Sequence, residues 1–304
     1  MNIDRGTGFL KTAKTNSDKK NEDLTEVLSE IQEMIGLDSV KEELNKLIAF
    51  ARVVKLKRDR GLPVGSISLH MVFTGPPGTG KTEIARKVGR VLKGIGMLSR
   101  GHCVEVDKAA LTSVYANSGP QLITDKVKEA LNGVLFIDEA YTLAGKDVLS
   151  GPDHSGGEVI DTLLKLMEDN RERLVVIVAG YTAEMRRFIE SNVGLKSRFT
   201  RLIEFKSYTA EELFEIFQLM AAKEQYIFTS DAEEEVRRYF QDIRGSSTKS
   251  EPDFGNARTA RVFLEKILPA QAERISGIDG YENLSDEELL TITVDDVLHI
   301  IESE

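Results

Sequence analysis

The sequence predicts an α/β protein, a five-stranded parallel sheet flanked by helices, followed by a smaller all-helical unit. Three observations carry that expectation. Short apolar runs alternate with helical patterns between Leu69 and Phe205, a glycine-rich turn joins the first run to a helix, and beyond Phe205 helical periodicity continues without strand-like runs. With 304 residues the chain exceeds one ordinary domain. The expected division is a flexible segment over 1–24, a large α/β unit over 25–205 and a small helical unit over 206–304.

Residues 1–24 are polar and mixed in charge, with Lys11, Lys14, Lys19 and Lys20 among Asn, Ser, Thr and Asp, and read as a lead-in. Ser39-Val40-Lys41-Glu42 has capping-box spacing. Val40, Leu44, Leu47, Ala51 and Val54 then recur at helical intervals, so an amphipathic helix is expected to about Lys57. Arg52, Lys55, Lys57, Arg58 and Arg60 crowd its end, where cations complement the helix dipole. Strands are expected over 69–74, 102–107, 133–138, 174–179 and 202–205, with helices over 82–93, 119–131 and 157–168 between them. Helices over 210–224, 230–244, 256–276 and 294–302 make up the second unit, and 245–252 is a loop by composition.

The first strand runs into Gly75-Pro76-Pro77-Gly78-Thr79-Gly80-Lys81-Thr82, a complete phosphate-binding loop in its required strand-to-helix setting. Glycines let successive backbone N–H groups point at phosphate oxygens, and the positive end of the next helix adds to that field. Lys81 is expected to reach the outer phosphates and Thr82 to hold Mg²⁺. The third strand ends in Asp138-Glu139. There Asp138 would orient Mg²⁺, directly or through water, and Glu139 would polarise the attacking water. A nucleotide and Mg²⁺ are thus the expected ligands, and hydrolysis the expected reaction.

Composition excludes several classes. Forty basic against 50 acidic residues leave a net charge of −10, which argues against a generic grip on nucleic acid or on an anionic membrane. Cys103 is the single cysteine, so no intrachain disulfide forms and a reducing, cytoplasmic setting is expected. Its place in a strand favours packing over reactivity. Apolar runs such as 174–179 fall far short of the ~20 residues that span a bilayer, and the N-terminus has no apolar signal core.

Taken in order, Gly75 to Thr82, Asp138-Glu139, Ser197-Arg198-Phe199 and Asn256-Ala257-Arg258 resemble the motifs of an AAA+ ATPase. The runs from Gly133 to Tyr141 and from Val176 to Tyr181 are similar to one branch of it. That branch holds red-type Rubisco activases, stage V sporulation protein K and the ATPase domain of type VII secretion chaperones. The similarity extends from about Ile35 to the end of the chain.

The resemblance implies roles that the residues alone leave open. It implies that the nucleotide is ATP. Ile35-Gly36-Leu37 would lie against the adenine. Arg198 would be an arginine finger reaching a neighbouring subunit's site, and Arg258 a sensor on the lid, with Arg261 the competing candidate. Tyr115 would be the aromatic of a pore loop that grips a threaded polypeptide, although Asn117 stands where relatives commonly have glycine. For the first sensor, Gly180-Tyr181-Thr182 offers Tyr181 or Thr182. A ring, expected to be a hexamer, that remodels a protein client follows from the finger and the pore loop.

Rubisco large subunit is one candidate client and a sporulation-type target another. The absence of a helical-repeat region ahead of Ile35 makes the secretion-chaperone architecture the less expected one. An ATP-gated scaffold without threading is the alternative function, disfavoured by Glu139. The net charge disfavours a DNA-acting motor, and the lack of an Asn-Lys-x-Asp segment a small GTPase.

Overall fold

The computed structural model describes residues 16–65, 67–106, 119–144, 154–245 and 254–303. In chain order α1 is Asn16–Glu33, α2 Asp38–Asp59, β1 Met71–Thr74, α3 Lys81–Ile95, β2 Cys103–Val106, α4 Gly119–Ala130 and β3 Gly133–Ile137. Next come α5 His154–Asp169, β4 Leu174–Gly180, α6 Thr182–Glu190, α7 Val193–Arg198 and β5 Arg201–Glu204. The C-terminal part holds α8 Ala210–Lys223, β6 Ile227–Phe228, α9 Ser230–Gly245, α10 Ala257–Ser276, α11 Asp286–Leu290, β7 Thr291–Ile292 and α12 Val294–Ile301.

All five strands of the main sheet are parallel, in the order β2-β3-β4-β1-β5. The three central strands are buried along their whole length, as strands covered on both faces must be. Alternate side chains separate two cores. Phe73, Phe136 and Ile177 point into one, and Val72, Leu135 and Val178 into the other. The first core continues into the C-terminal unit through Phe214, Phe217, Phe240 and Phe263, so the two parts share packing. Cys103 sits half-buried in β2, where burial pushes its thiol up to about 12, in keeping with a packing role.

Two local expectations are corrected. The lead-in is helical from Asn16, and α1 lays Val27 and Ile31 in the core while Glu30 pairs with Lys87 and Arg90 of α3 at 2.5 and 2.7 Å. Its polar composition hid it, because few of its side chains are apolar. The capping box at Ser39 does not form. Instead α2 begins at Asp38 behind Leu37, which takes a left-handed φ of 60° with no side-chain cap. Lys41 secures the turn, its ammonium donating to the Met34 carbonyl at 2.6 Å.

In the C-terminal unit, α8 starts with the capping box of Thr209 and Glu212, and an aromatic cluster centred on Phe217 ties α8, α9 and α10 together. Helices dominate it as expected, with one addition: β6 and β7 pair in parallel over two residues each. So short a pairing has no sequence periodicity to reveal it.

Candidate active site

β1 delivers the chain into the loop 75–82 at the C-terminal edge of the sheet, where open α/β folds bind ligands. Two glycines are required there. Gly75 and Gly78 have φ of 139° and 69°, and a Cβ on either would lie 2.1 Å from the Phe205 carbonyl oxygen or 2.0 Å from that of Gly255. Buried Thr79 closes the turn, its hydroxyl donating to the Pro76 carbonyl at 2.9 Å. Lys81 Nζ curls back to donate to the carbonyls of Gly75 and Pro76 at 2.9 and 2.6 Å. Burial pushes this ammonium down to about 8, against the pull of Asp138, with Arg258 reinforcing burial and Glu139 opposing it.

Because β3 lies one strand from β1, across β4, its terminal acids emerge beside the loop. Asp138 Oδ1 accepts the Glu139 N–H at 3.0 Å, and Glu139 turns out to solvent at a φ of 48°. This positive φ, uncommon outside glycine, re-aims the carboxylate at the end of the strand. A cleft of about 450 Å³ results. Gly75, Pro77 to Thr82, Asp138 and Glu139 line it from the sheet, and Arg258 and Arg261 from the helical unit. Pro76 contributes its carbonyl to Lys81 rather than a cleft surface.

Other expected residues fall in different places. Tyr181 lines the cleft, whereas Thr182 begins α6 and does not. Ile35-Gly36-Leu37 stands outside the cleft lining. It borders the loop: a Cβ on Gly80 would be 3.7 Å from Leu37 Cδ1, and a Cβ on Gly36 would meet Glu212 and Tyr208. Arg198 is in a second cavity of about 490 Å³, 3.5 Å from Glu168, and takes no part in the cleft of its own chain. Tyr115 and Asn117 lie outside the described residues.

Sequence reasoning missed the joint between loop and lid. Asn256 is wholly buried, with φ 50° and ψ −126°. Its Nδ2 donates to the carbonyls of Pro77 and Phe254, both at 3.1 Å, and its Oδ1 accepts the Tyr208 N–H at 2.9 Å. Next to it, the Ala257 N–H donates to the Gly78 carbonyl at 3.1 Å. The pair Gly255-Asn256 was the available signal, since Asn tolerates positive φ at a turn.

A glycine-cradled loop between a buried strand and a helix, acids on a nearby strand and a helical unit over the cleft define a P-loop nucleotide-binding protein. The chain belongs to the ATPase family associated with various cellular activities (AAA), whose model matches residues 71–207, and the AAA lid domain matches residues 209–304. It is 37% identical over 274 residues to stage V sporulation protein K of Bacillus subtilis, covering 90% of this chain and 82% of that protein. Chloroplastic ribulose bisphosphate carboxylase/oxygenase activase of Cyanidioschyzon merolae is 37% identical over 289 residues, covering 95% of this chain and 96% of that one.

ESX-3 secretion system protein EccA3 of Mycobacterium tuberculosis is 40% identical over 290 residues, covering 92% of this chain. The chain spans about half the length of EccA3, 45% of it. Among solved structures, the AAA domain of FIGL-1 superposes with a TM-score of 0.58 at 19% identity, over 90% of this chain and 82% of that one, a likeness of fold.

Proposed function

We propose that the protein is an Mg²⁺-dependent ATPase that works as a ring of identical copies, six in number, and uses hydrolysis to remodel a protein client. One observation carries the reading. Lys81, Asp138, Glu139 and Arg258 share one cleft, while Arg198 stands in another cavity of the same chain, which supports a cleft completed by Arg198 of a second copy.

The cleft fits the ligands. Lys81 is a half-buried cation whose bonds go to two carbonyls, and a phosphate would supply the negative charge that carbonyl dipoles lack. For Mg²⁺ the hydroxyl of Thr82 and the carboxylate of Asp138 are suitable hard oxygen donors. Among the described residues no cluster of three or more His, Cys, Asp or Glu side chains is placed to hold a metal. Two protein oxygens, completed by nucleotide phosphates and water, suit the way Mg²⁺ is commonly held. Bound there, the ion would neutralise phosphate charge. Glu139, exposed at the cleft, would hold and deprotonate the attacking water, and Arg258 on the lid would sense the nucleotide.

No described helix is long and apolar enough to cross a membrane, and a cytoplasmic setting is part of the proposal. The client is a protein; Rubisco large subunit and a sporulation-type target both fit the relatives at equal identity. A dilution series tests the ring. Specific ATPase activity should rise with protein concentration, and a flat value over a wide range would overturn the shared site. Glu139→Gln should bind ATP without turning it over, and as a trap with ATP it should co-purify the client. Wild-type turnover by this variant would remove the role given to Glu139.

A further inference from the structure

One glycine at the edge of the cleft is fixed by a side chain that stands behind it. β4 is apolar from Leu174 to Ala179 and ends on Gly180, whose carbonyl accepts the Gly75 N–H of the phosphate loop at 3.1 Å. A Cβ on Gly180 would lie 2.7 and 2.8 Å from Cε1 and Cδ1 of Tyr141. The Tyr141 ring thus fills the place that a side chain at position 180 would take. The same ring meets that of Tyr181, with 6.3 Å between centroids. Gly180 and Tyr181 line the cleft, whereas Tyr141 does not.

Tyr141 belongs to the short helical turn Ala140–Ala144, directly after Glu139. Glu139 holds a φ of 48°, which a residue other than glycine keeps only where its surroundings impose it. Its N–H donates to Asp138 Oδ1 at 3.0 Å, and its carbonyl accepts the Thr142 N–H at 2.9 Å. Both bonds lie within residues 138–142, so they shape the turn without setting where it rests on the sheet. Ala140 and Leu143 anchor it in the second core. The Tyr141 ring ties it to the end of β4, the strand between β3 and β1.

Burial, with Glu139 the next contributor, pushes the Tyr141 phenol up to about 12, so the ring packs beside the acids without adding charge to the cleft. Placement weighs heavily on Glu139. A general base acts only within hydrogen-bond reach of the water it deprotonates, about 2.6–3.2 Å. Glu139 is exposed, so the backbone of the turn is what aims its carboxylate. A misplacement of about 1 Å at such a group can slow a reaction ~10²-fold.

We propose that Tyr141 is a positioning residue for Glu139: its ring, seated on Gly180 and beside Tyr181, holds the turn 139–144 against β4 and keeps the Glu139 carboxylate where it meets the attacking water. This rests on the role given to Glu139 and deepens it. Because Gly180 also bonds Gly75, the contact sets the base in register with the phosphate loop. Tyr141 stands outside the cleft lining, so its loss slows the chemical step and leaves the hold on ATP in place.

Steady-state ATPase kinetics, at protein concentrations where specific activity no longer rises, are read beside ATP affinity by calorimetry. Tyr141→Leu should lower kcat about tenfold or more, with KM and ATP affinity within about twofold of wild type. Tyr141→Phe keeps the ring and should recover roughly half or more of the wild-type kcat. Gly180→Ala pushes the ring away from the other side and should also lower kcat, which keeps the test open if Tyr141→Leu fails to fold. In the double variant Tyr141→Leu/Gly180→Ala the two losses should not multiply, since the methyl group enters the space the ring has left. Wild-type turnover by Glu139→Gln would overturn the role of Glu139 itself. With Glu139→Gln inactive, wild-type kcat in Tyr141→Leu, or losses that multiply in the double variant, would overturn the positioning role alone. A fall in ATP affinity as large as the fall in kcat would make Tyr141 a support of the whole cleft and also overturn it.

Discussion

Asn256 Nδ2 donates to the Pro77 carbonyl at 3.1 Å, so a residue of the lid holds the phosphate loop directly. Its Oδ1 takes the N–H of Tyr208, in the connection between the two units, and the tyrosine hydroxyl reaches the Thr79 carbonyl at 3.4 Å. Loop, connection and lid therefore meet at one buried amide. Arg258 lies two residues further along the same chain and lines the cleft. A change in the loop on nucleotide binding has a short mechanical path to that arginine.

Asn256 also holds φ 50° and ψ −126°, a conformation that disfavours any side chain and costs on the order of 1–3 kcal/mol. Asn256→Ala keeps that strain and strips the partners of their bonds. Asn256→Gly loses the same bonds but relaxes the backbone. Urea unfolding should show the alanine variant less stable than the glycine variant by about 1 kcal/mol or more. Both should narrow the ratio of ATP to ADP affinity. Equal stability of the two variants would show that the backbone is not strained.

Gly78 lies directly against the lid, its carbonyl accepting the Ala257 N–H at 3.1 Å. A methyl group there would meet the Gly255 carbonyl oxygen at 2.0 Å, at a φ of 69° that alanine resists. Gly78→Ala should push the lid off the loop and destabilise the protein by about 2 kcal/mol, more than the ordinary cost of alanine at positive φ. Nucleotide affinity, read by calorimetry, should fall at least tenfold. Wild-type affinity in this variant would mean that the loop and lid are not in register as described.

Lys81 gives a pH dependence with a definite sign. Its ammonium is pushed down to about 8 in the free protein, and a phosphate beside it raises that value again. Below this value the free lysine is already protonated, so binding changes no charge there. Above it, binding must take up a proton. ATP affinity should be level near pH 7 and fall above pH 8 by up to about tenfold per pH unit. Calorimetry in two buffers of different ionisation heat should record the proton uptake. A flat affinity from pH 7 to 9 without uptake would contradict the half-buried, phosphate-facing lysine.

Much of this was legible because it follows from short-range chemistry. The runs that became β1, β3 and β4 are apolar along their whole length since both faces are covered, and the loop after β1 is confined to glycine by backbone contacts. Asp138-Glu139 could be placed beside the loop because parallel strands bring their C-terminal ends to one edge. Long-range effects stayed hidden. Nothing local announces that Asn256 would bond to Pro77 across the chain, or that Leu37 would stand beside Gly80. Asn16 to Leu24 read as part of a polar lead-in because α1 sends few side chains, Leu24, Val27, Leu28 and Ile31, to the core and carries charges that pair with α3.

Complementation between two inactive variants tests the shared site most directly. Lys81→Ala should have a disabled cleft and an intact Arg198, and Arg198→Ala the reverse. Each alone should show negligible ATPase activity. Mixed in equal amounts, they should regain turnover at interfaces where an intact cleft meets an intact arginine, with the optimum near equal proportions. A mixture as inactive as its components, although sedimentation shows that they co-assemble, would contradict a site completed by the neighbouring copy.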